Sequence, residues 1–122
     1  MIGDKSAVQD LLVNQGATFS RQIRLRDQEN QTIDLTNSTF RGQIRRKKES
    51  PGIAASFSFA LNTEKTAVTM TLTAAQTSSM VAGPTVQHPD SIYFYDVEWE
   101  RPGGMITRIM EGKLLLSREV TR

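Results

Sequence analysis

Cysteine is missing from all 122 residues, which excludes disulfides and thiolate chemistry and permits a reducing compartment. Histidine is nearly missing: His88 stands alone in the loop sequence Gln87-His88-Pro89-Asp90, with no second histidine or cysteine to share a metal. A lone loop histidine is ordinarily solvated, so neither a metal ligand nor a general base is expected there. No apolar run approaches the ~20 residues that span a bilayer. Met1-Ile2-Gly3-Asp4-Lys5 lacks the apolar stretch of a secretory signal, so no membrane contact is expected. Also absent are Gly-x-x-x-x-Gly-Lys-Ser/Thr, Gly-x-Gly-x-x-Gly and the Gly-x-Ser-x-Gly of a nucleophile elbow. The expectation is a protein that is not an enzyme, with no catalytic residue, no cofactor and no metal site.

Charge of one sign is also scarce. Fifteen lysines and arginines against 13 aspartates and glutamates leave a formal net charge of +2. The distribution is less even than the sum. Arg21, Arg24 and Arg26 fall along one early segment, and Arg41, Arg45, Arg46, Lys47 and Lys48 cluster after it. Acidic residues gather late, at Asp90, Asp96, Glu98, Glu100 and Glu111. A basic front and an acidic back could form a nucleic-acid face. The alternative is solvated strand faces, or complementary patches in a repeating assembly. The low net charge favours the second reading, because nucleic-acid binders carry more positive charge and interleave it with exposed aromatics. Asp96 and Glu98, two apart on one strand, share a face and read as an acidic strip paired with basic neighbours. Calcium would need several further oxygen ligands.

What the chain does have is period-2 alternation, the mark of half-buried strands. Tyr93, Tyr95, Val97 and Trp99 alternate with Phe94, Asp96, Glu98 and Glu100. Pro102-Gly103-Gly104 then reads as a hairpin loop. A three-residue loop places Arg101 opposite Met105, then Trp99 with Thr107, Glu98 with Arg108 and Val97 with Ile109. A two-residue loop would turn Arg108 into the core. The chosen register predicts a Glu98–Arg108 salt bridge on the outer face, with Gly112 bulging the second strand so that Leu114 and Leu116 return inward.

Upstream, Phe19, Ile23 and Leu25 share a face, as do Phe40, Gly42 and Ile44 in a strand from Thr39 to Arg46. Ile53, Ala55, Phe57, Phe59 and Leu61 form the inner face of one further strand, joined through residues 62–65 to Val68, Met70 and Leu72. Thr73-Ala74-Ala75-Gln76 has the capping-box form and opens a short helix to Ala82 that Gly83-Pro84 terminates. The fold class is therefore all-β: an antiparallel β-sandwich, immunoglobulin-like or jelly-roll-like, of roughly seven or eight strands with one short helix. Phe19, Ile23, Leu25, Phe40, Ile44, Phe57, Phe59, Val68, Met70, Leu72, Tyr95, Val97 and Trp99 should face its core. Residues 15–122 form the single sandwich domain and residues 1–14 an N-terminal arm or edge strand.

Several segments, in order, resemble a family of small structural proteins of tailed bacteriophages and prophages. They are Gln15-Gly16-Ala17-Thr18-Phe19 through Arg26-Asp27, Thr32-Ile33-Asp34-Leu35-Thr36, Gly42-Gln43-Ile44-Arg45 and Leu72-Thr73-Ala74-Ala75-Gln76-Thr77. Tyr95-Asp96-Val97-Glu98, Ile106 through Gly112, and Ser117-Arg118-Glu119-Val120-Thr121-Arg122 complete the series. The resemblance implies a β-sandwich module of the viral tail or baseplate, similar to the N-terminal adaptor modules of baseplate and tail-fibre proteins. This chain stops where those proteins continue into a fibre, which favours a stand-alone adaptor or wedge-like subunit over a receptor binder.

The expected function is thus a structural component of the virion, assembled in the host cytoplasm and acting through protein–protein interaction. Its partners would be other tail, baseplate or fibre proteins, with a homo-oligomer also compatible and nucleic acid not expected. The alternatives are a small basic β-barrel that binds nucleic acid and a capsid decoration protein. Partner contacts are assigned to Leu11, Leu12 and Val13, an apolar run outside the hairpins, and to Arg41, Arg45 and Arg46. Deleting residues 1–13 should then leave a folded domain that no longer assembles.

Overall fold

Nine strands in two sheets, with one short helix between them, make up residues 6–120, the part described by the structure, a computed structural model. Met1–Lys5 of the expected arm and Thr121–Arg122 of the last resembling segment lie outside those residues. The strands are β1 (Ala7–Val8), β2 (Leu11–Asn14), β3 (Phe19–Ile23), β4 (Thr39–Arg45), β5 (Ala55–Ser56), β6 (Ser58–Leu61), β7 (Val68–Leu72), β8 (Ile92–Glu100) and β9 (Ile106–Ser117). The larger sheet runs β1-β9-β8-β4-β5, with β2 continuing β1 along the same edge of β9; the smaller is β3-β7-β6. The all-β sandwich expected from the alternation is what forms.

Ten of the thirteen residues assigned to the core are buried, and Phe19, Phe40 and Phe59 are half-buried against it. Phe57 packs edge-on to Tyr95, ring centroids 6.0 Å apart, which ties the small sheet to the large one. Leu35, Met80 and Met110 join the core from positions where no period-2 pattern announces them, and Ile109 is buried as the hairpin alternation predicts. Trp99 is buried and its indole N–H donates to Ser38 Oγ at 2.9 Å, so the polar handle of the largest side chain is satisfied.

Four features depart from expectation. Leu11 and Val13 are wholly buried, because β2 pairs in parallel with the last four residues of β9 and turns both side chains inward. Residues 11–14 are therefore a core-bearing edge strand. The segment from Ile53 to Leu61 is not one strand: β5 pairs with β4, β6 pairs with β7, and the chain changes sheets at Phe57. Ile53 itself is exposed.

The third departure lies in the C-terminal hairpin. Arg101 N–H donates to Met105 O at 2.9 Å, and Trp99–Thr107 and Glu98–Arg108 pair as expected. Val97, however, pairs with Met110, because a bulge absorbs Ile109. Both Ile109 and Met110 are buried, which no regular alternation allows, and the change of parity brings Leu114 and Leu116 inward. Gly112 has a different task. Its φ is +156°, and a Cβ there would collide with the Gln9 carbonyl, so its absence lets β1 run close to β9.

Fourth, the helix α1 spans only Ala74–Ser79. Its capping box is intact, Gln76 N–H donating to Thr73 Oγ1 at 3.1 Å and Thr73 N–H to Gln76 Oε1 at 2.9 Å. Met80, in an extended conformation, ends it before Gly83-Pro84 is reached. Thr77 pins the helix across one end of the sandwich: its buried hydroxyl accepts from Gly16 N–H at 3.0 Å and donates to Ala17 O at 2.9 Å. Gly83 instead receives the His88 ring, since an added Cβ would lie 2.6 Å from Nδ1. His88 caps a short 3-10 turn, accepting from Asp90 N–H at 3.1 Å, so the lone histidine has a structural use.

Candidate functional site: the outer face of the large sheet

The outward positions of β4, β8 and β9 form cross-strand rows, set by the register. Arg41, Glu98 and Arg108 make one row, and Gln43, Asp96 and Glu111 the next. Arg45, Phe94 and Lys113 make a third. The bulge at Ile109 decides that Arg108 and Glu111 both point outward, although their numbers differ in parity. All of these side chains except Arg41 and Lys113 line a shallow, open trough of about 360 Å³.

The expected Glu98–Arg108 salt bridge is not the one that forms. Arg41 Nε donates to Glu98 Oε1 at 2.8 Å from the neighbouring strand. Arg108 turns instead to Asp96, 3.6 Å from Nε, and to Glu111, 3.7 Å from Nη1. Both geometries satisfy the same charges, and Arg41 reaches Glu98 at hydrogen-bonding distance, which releases Arg108. All these pairs are partly solvated, so each contributes only about 0.2–1 kcal/mol. Burial raises the Asp96 carboxyl above its ordinary pKa; Arg108 opposes the shift, Glu98 and Glu111 add to it, and Arg45 opposes it again. Among the described residues no group of three or more His, Cys, Asp or Glu side chains is arranged to hold a metal ion.

The basic cluster is largely engaged within the chain. Arg45 Nη1 donates to the carbonyls of Ser50 and Pro51, at 2.9 and 2.7 Å, and Nη2 to Gln43 Oε1 at 2.9 Å. It thereby closes the loop that follows β4. Arg46 Nη1 donates to Asp90 O at 2.7 Å, and its guanidinium lies 4.5 Å from the Tyr93 ring centroid. That contact anchors the end of β4 to the 3-10 turn before β8. Of the six side chains assigned to partner contacts, Arg41 is exposed but paired, while Arg45 and Arg46 hold loops. Leu11 and Val13 are withdrawn into the core; they cannot contact a partner, because parallel pairing with β9 covers them. Leu12 alone of that run faces out, 60% exposed, in the same row as Leu115 and Ile92.

A second concave feature lies at the seam between the sheets. Beyond Phe57, whose N–H donates to Gly42 O at 2.9 Å, β4 and β6 have no further mutual pairing. A trough of about 490 Å³ opens there, with Phe40 on one side and Phe59 and Leu61 on the other. The Phe40 and Phe59 rings form its floor, centroids 5.9 Å apart. Sequence reasoning placed all three residues facing inward but had no signal for the opening, which arises because β6 leaves the large sheet at Phe57.

No protein-family model matches this sequence, and no curated protein matches it either.

Proposed function

We propose that this chain is a non-enzymatic structural subunit of a phage virion, an adaptor of the tail, baseplate or fibre-attachment region that acts through protein–protein contacts. The observation that carries the reading is the ordered series of segments from Gln15 onward that resembles tail and baseplate modules. Those segments fall on elements that organise the fold: β3, the capping box of α1 and the β8–β9 hairpin. Supporting it, the sandwich has open strand edges at β3 and β2, surfaces on which a neighbouring subunit can add.

The engagement of Arg45 and Arg46 by backbone carbonyls weighs against the nucleic-acid alternative. It leaves Lys47 and Lys48, both exposed, as the cations of the cluster's loop not held by a backbone carbonyl among the described residues, and Lys48 itself lies over the Phe94 ring, 6.0 Å from its centroid. Quantitative mass spectrometry of purified particles tests the proposal. The chain should be present at a fixed ratio to tail proteins and should leave the particle with them. Its absence from particles, or salt-sensitive DNA binding by the purified protein that a Lys47→Glu, Lys48→Glu variant removes, would overturn it.

A further inference from the structure

We propose that the seam between β4 and β6 is a docking cleft for an extended, acid-bearing apolar segment of a partner subunit, taken up as an added strand. The proposal deepens the adaptor reading and rests on it in one respect, that the segment belongs to another subunit.

Main-chain direction is the first support. Asn62 N–H donates to Ala67 O across the β6–β7 hairpin, whereas Phe57 N–H donates away from it, to Gly42 O. Peptide groups alternate along an antiparallel strand, so those of Phe59 and Leu61 share the direction of Phe57 and face the seam. On the other lip, the carbonyls of Gly42 and Ile44 accept from Phe57 and Ala54, which gives Phe40 the same outward direction. The strand pairing of β4 with β5 stops at Gln43, so β5 does not cover Phe40. Two strand edges therefore open onto one trough, an arrangement that suits an extended chain and gives a helix no hydrogen bonds to make.

The side chains supply the second support. Phe40, Phe59 and Leu61 are half-buried, presenting an apolar floor to alternate residues of an incoming strand. Among the residues lining this trough, Lys65 is the only one with a charged side chain, and its ammonium has no salt-bridge partner among the described residues. A carboxylate on the incoming segment complements it.

The test is a titration of the full, 15N-labelled chain, followed by amide NMR. The probe is a short acetylated peptide of alternating valine and threonine that ends in aspartate. The control peptide carries proline at alternate positions and so cannot donate to a strand edge. Saturable shifts at the amides of Phe40, Phe59 and Leu61 are expected, with a Kd on the order of a millimolar or tighter. The proline peptide should leave them unmoved. Phe59→Ser should weaken binding about tenfold, roughly 1.4 kcal/mol. Lys65→Gln, which removes the charge of a residue lining the trough, should weaken it for the aspartate peptide but not for its amidated counterpart.

Absence of saturable shifts at the seam, or shifts confined to β3, would overturn the proposal whatever the particle analysis finds. Self-association of the protein alone that Phe59→Ser abolishes would assign the cleft to a second copy and overturn the partner assignment. Peptide binding by a protein absent from particles would instead retain the cleft and remove the adaptor reading.

Discussion

Removing residues 1–13 should unfold this protein rather than free an arm. The deletion takes away β1 and nearly all of β2, including Leu11 and Val13, which the folded chain hides completely. Burying one such side chain contributes about 1.5–3 kcal/mol, so the pair accounts for roughly 3–6 kcal/mol before the lost pairing with β9 is considered. A domain of this size has a total stability of about 5–15 kcal/mol. The deletion therefore consumes a large share of the margin and leaves Leu114 and Leu116 without their covering strand. Point variants separate burial from length. Leu11→Ala should cost about 2–5 kcal/mol. Leu12→Ala, at an exposed position on the same strand, should stay within about 0.5 kcal/mol of the parent. Urea denaturation followed by the fluorescence of Trp99, the single tryptophan, measures all three. A truncated protein with the parent's midpoint, or equal effects of Leu11→Ala and Leu12→Ala, would refute the reasoning.

Three further outcomes are expected. Gly112→Ala should destabilise by about 1–3 kcal/mol, since its methyl group meets the Gln9 backbone; hydrogen exchange should show β1 released while β8 stays protected. Thr77→Val, nearly isosteric, should cost about 1–3 kcal/mol in urea denaturation by leaving Gly16 N–H and Ala17 O without their partner. Tyr95 donates its hydroxyl to Gln9 O, and burial pushes its pKa from 10.0 up to about 12, so the folded chain holds a proton that the unfolded chain releases. That contribution is complete below pH 10 and fades as pH rises toward 12. Stability measured across the alkaline range should fall for the parent, and the fall should be shallower for Tyr95→Phe.

How much of this was legible in the residues depended on how local each interaction is. The β8–β9 hairpin and the capping box at Thr73 could be read because their partners lie within a few residues, or across a turn whose length limits the register. The place of β2 could not, since its partner strand, β9, lies at the far end of the chain and parallel pairing leaves no turn to announce it. Phe57 looks like one more inward residue of an unbroken alternation; that the chain changes sheets there depends on Gly42, where a Cβ would approach the Phe57 ring to 2.9 Å. The bulge at Ile109 was anticipated but assigned to Gly112, the more permissive residue, because nothing local marks Ile109-Met110 as a pair to be buried together. On the outer face, the sequence showed charges suited to pairing but not who pairs with whom. Arg41 took Glu98 because β4 lies beside β8, and Arg45 and Arg46 found backbone carbonyls that composition does not reveal.

The central claim, that the chain is a tail-region adaptor, is tested most directly by electron microscopy of intact particles labelled with gold-conjugated antibody against the purified protein. Label confined to the tail or baseplate is the predicted result. Label spread over the head, or particles that carry none, would contradict it.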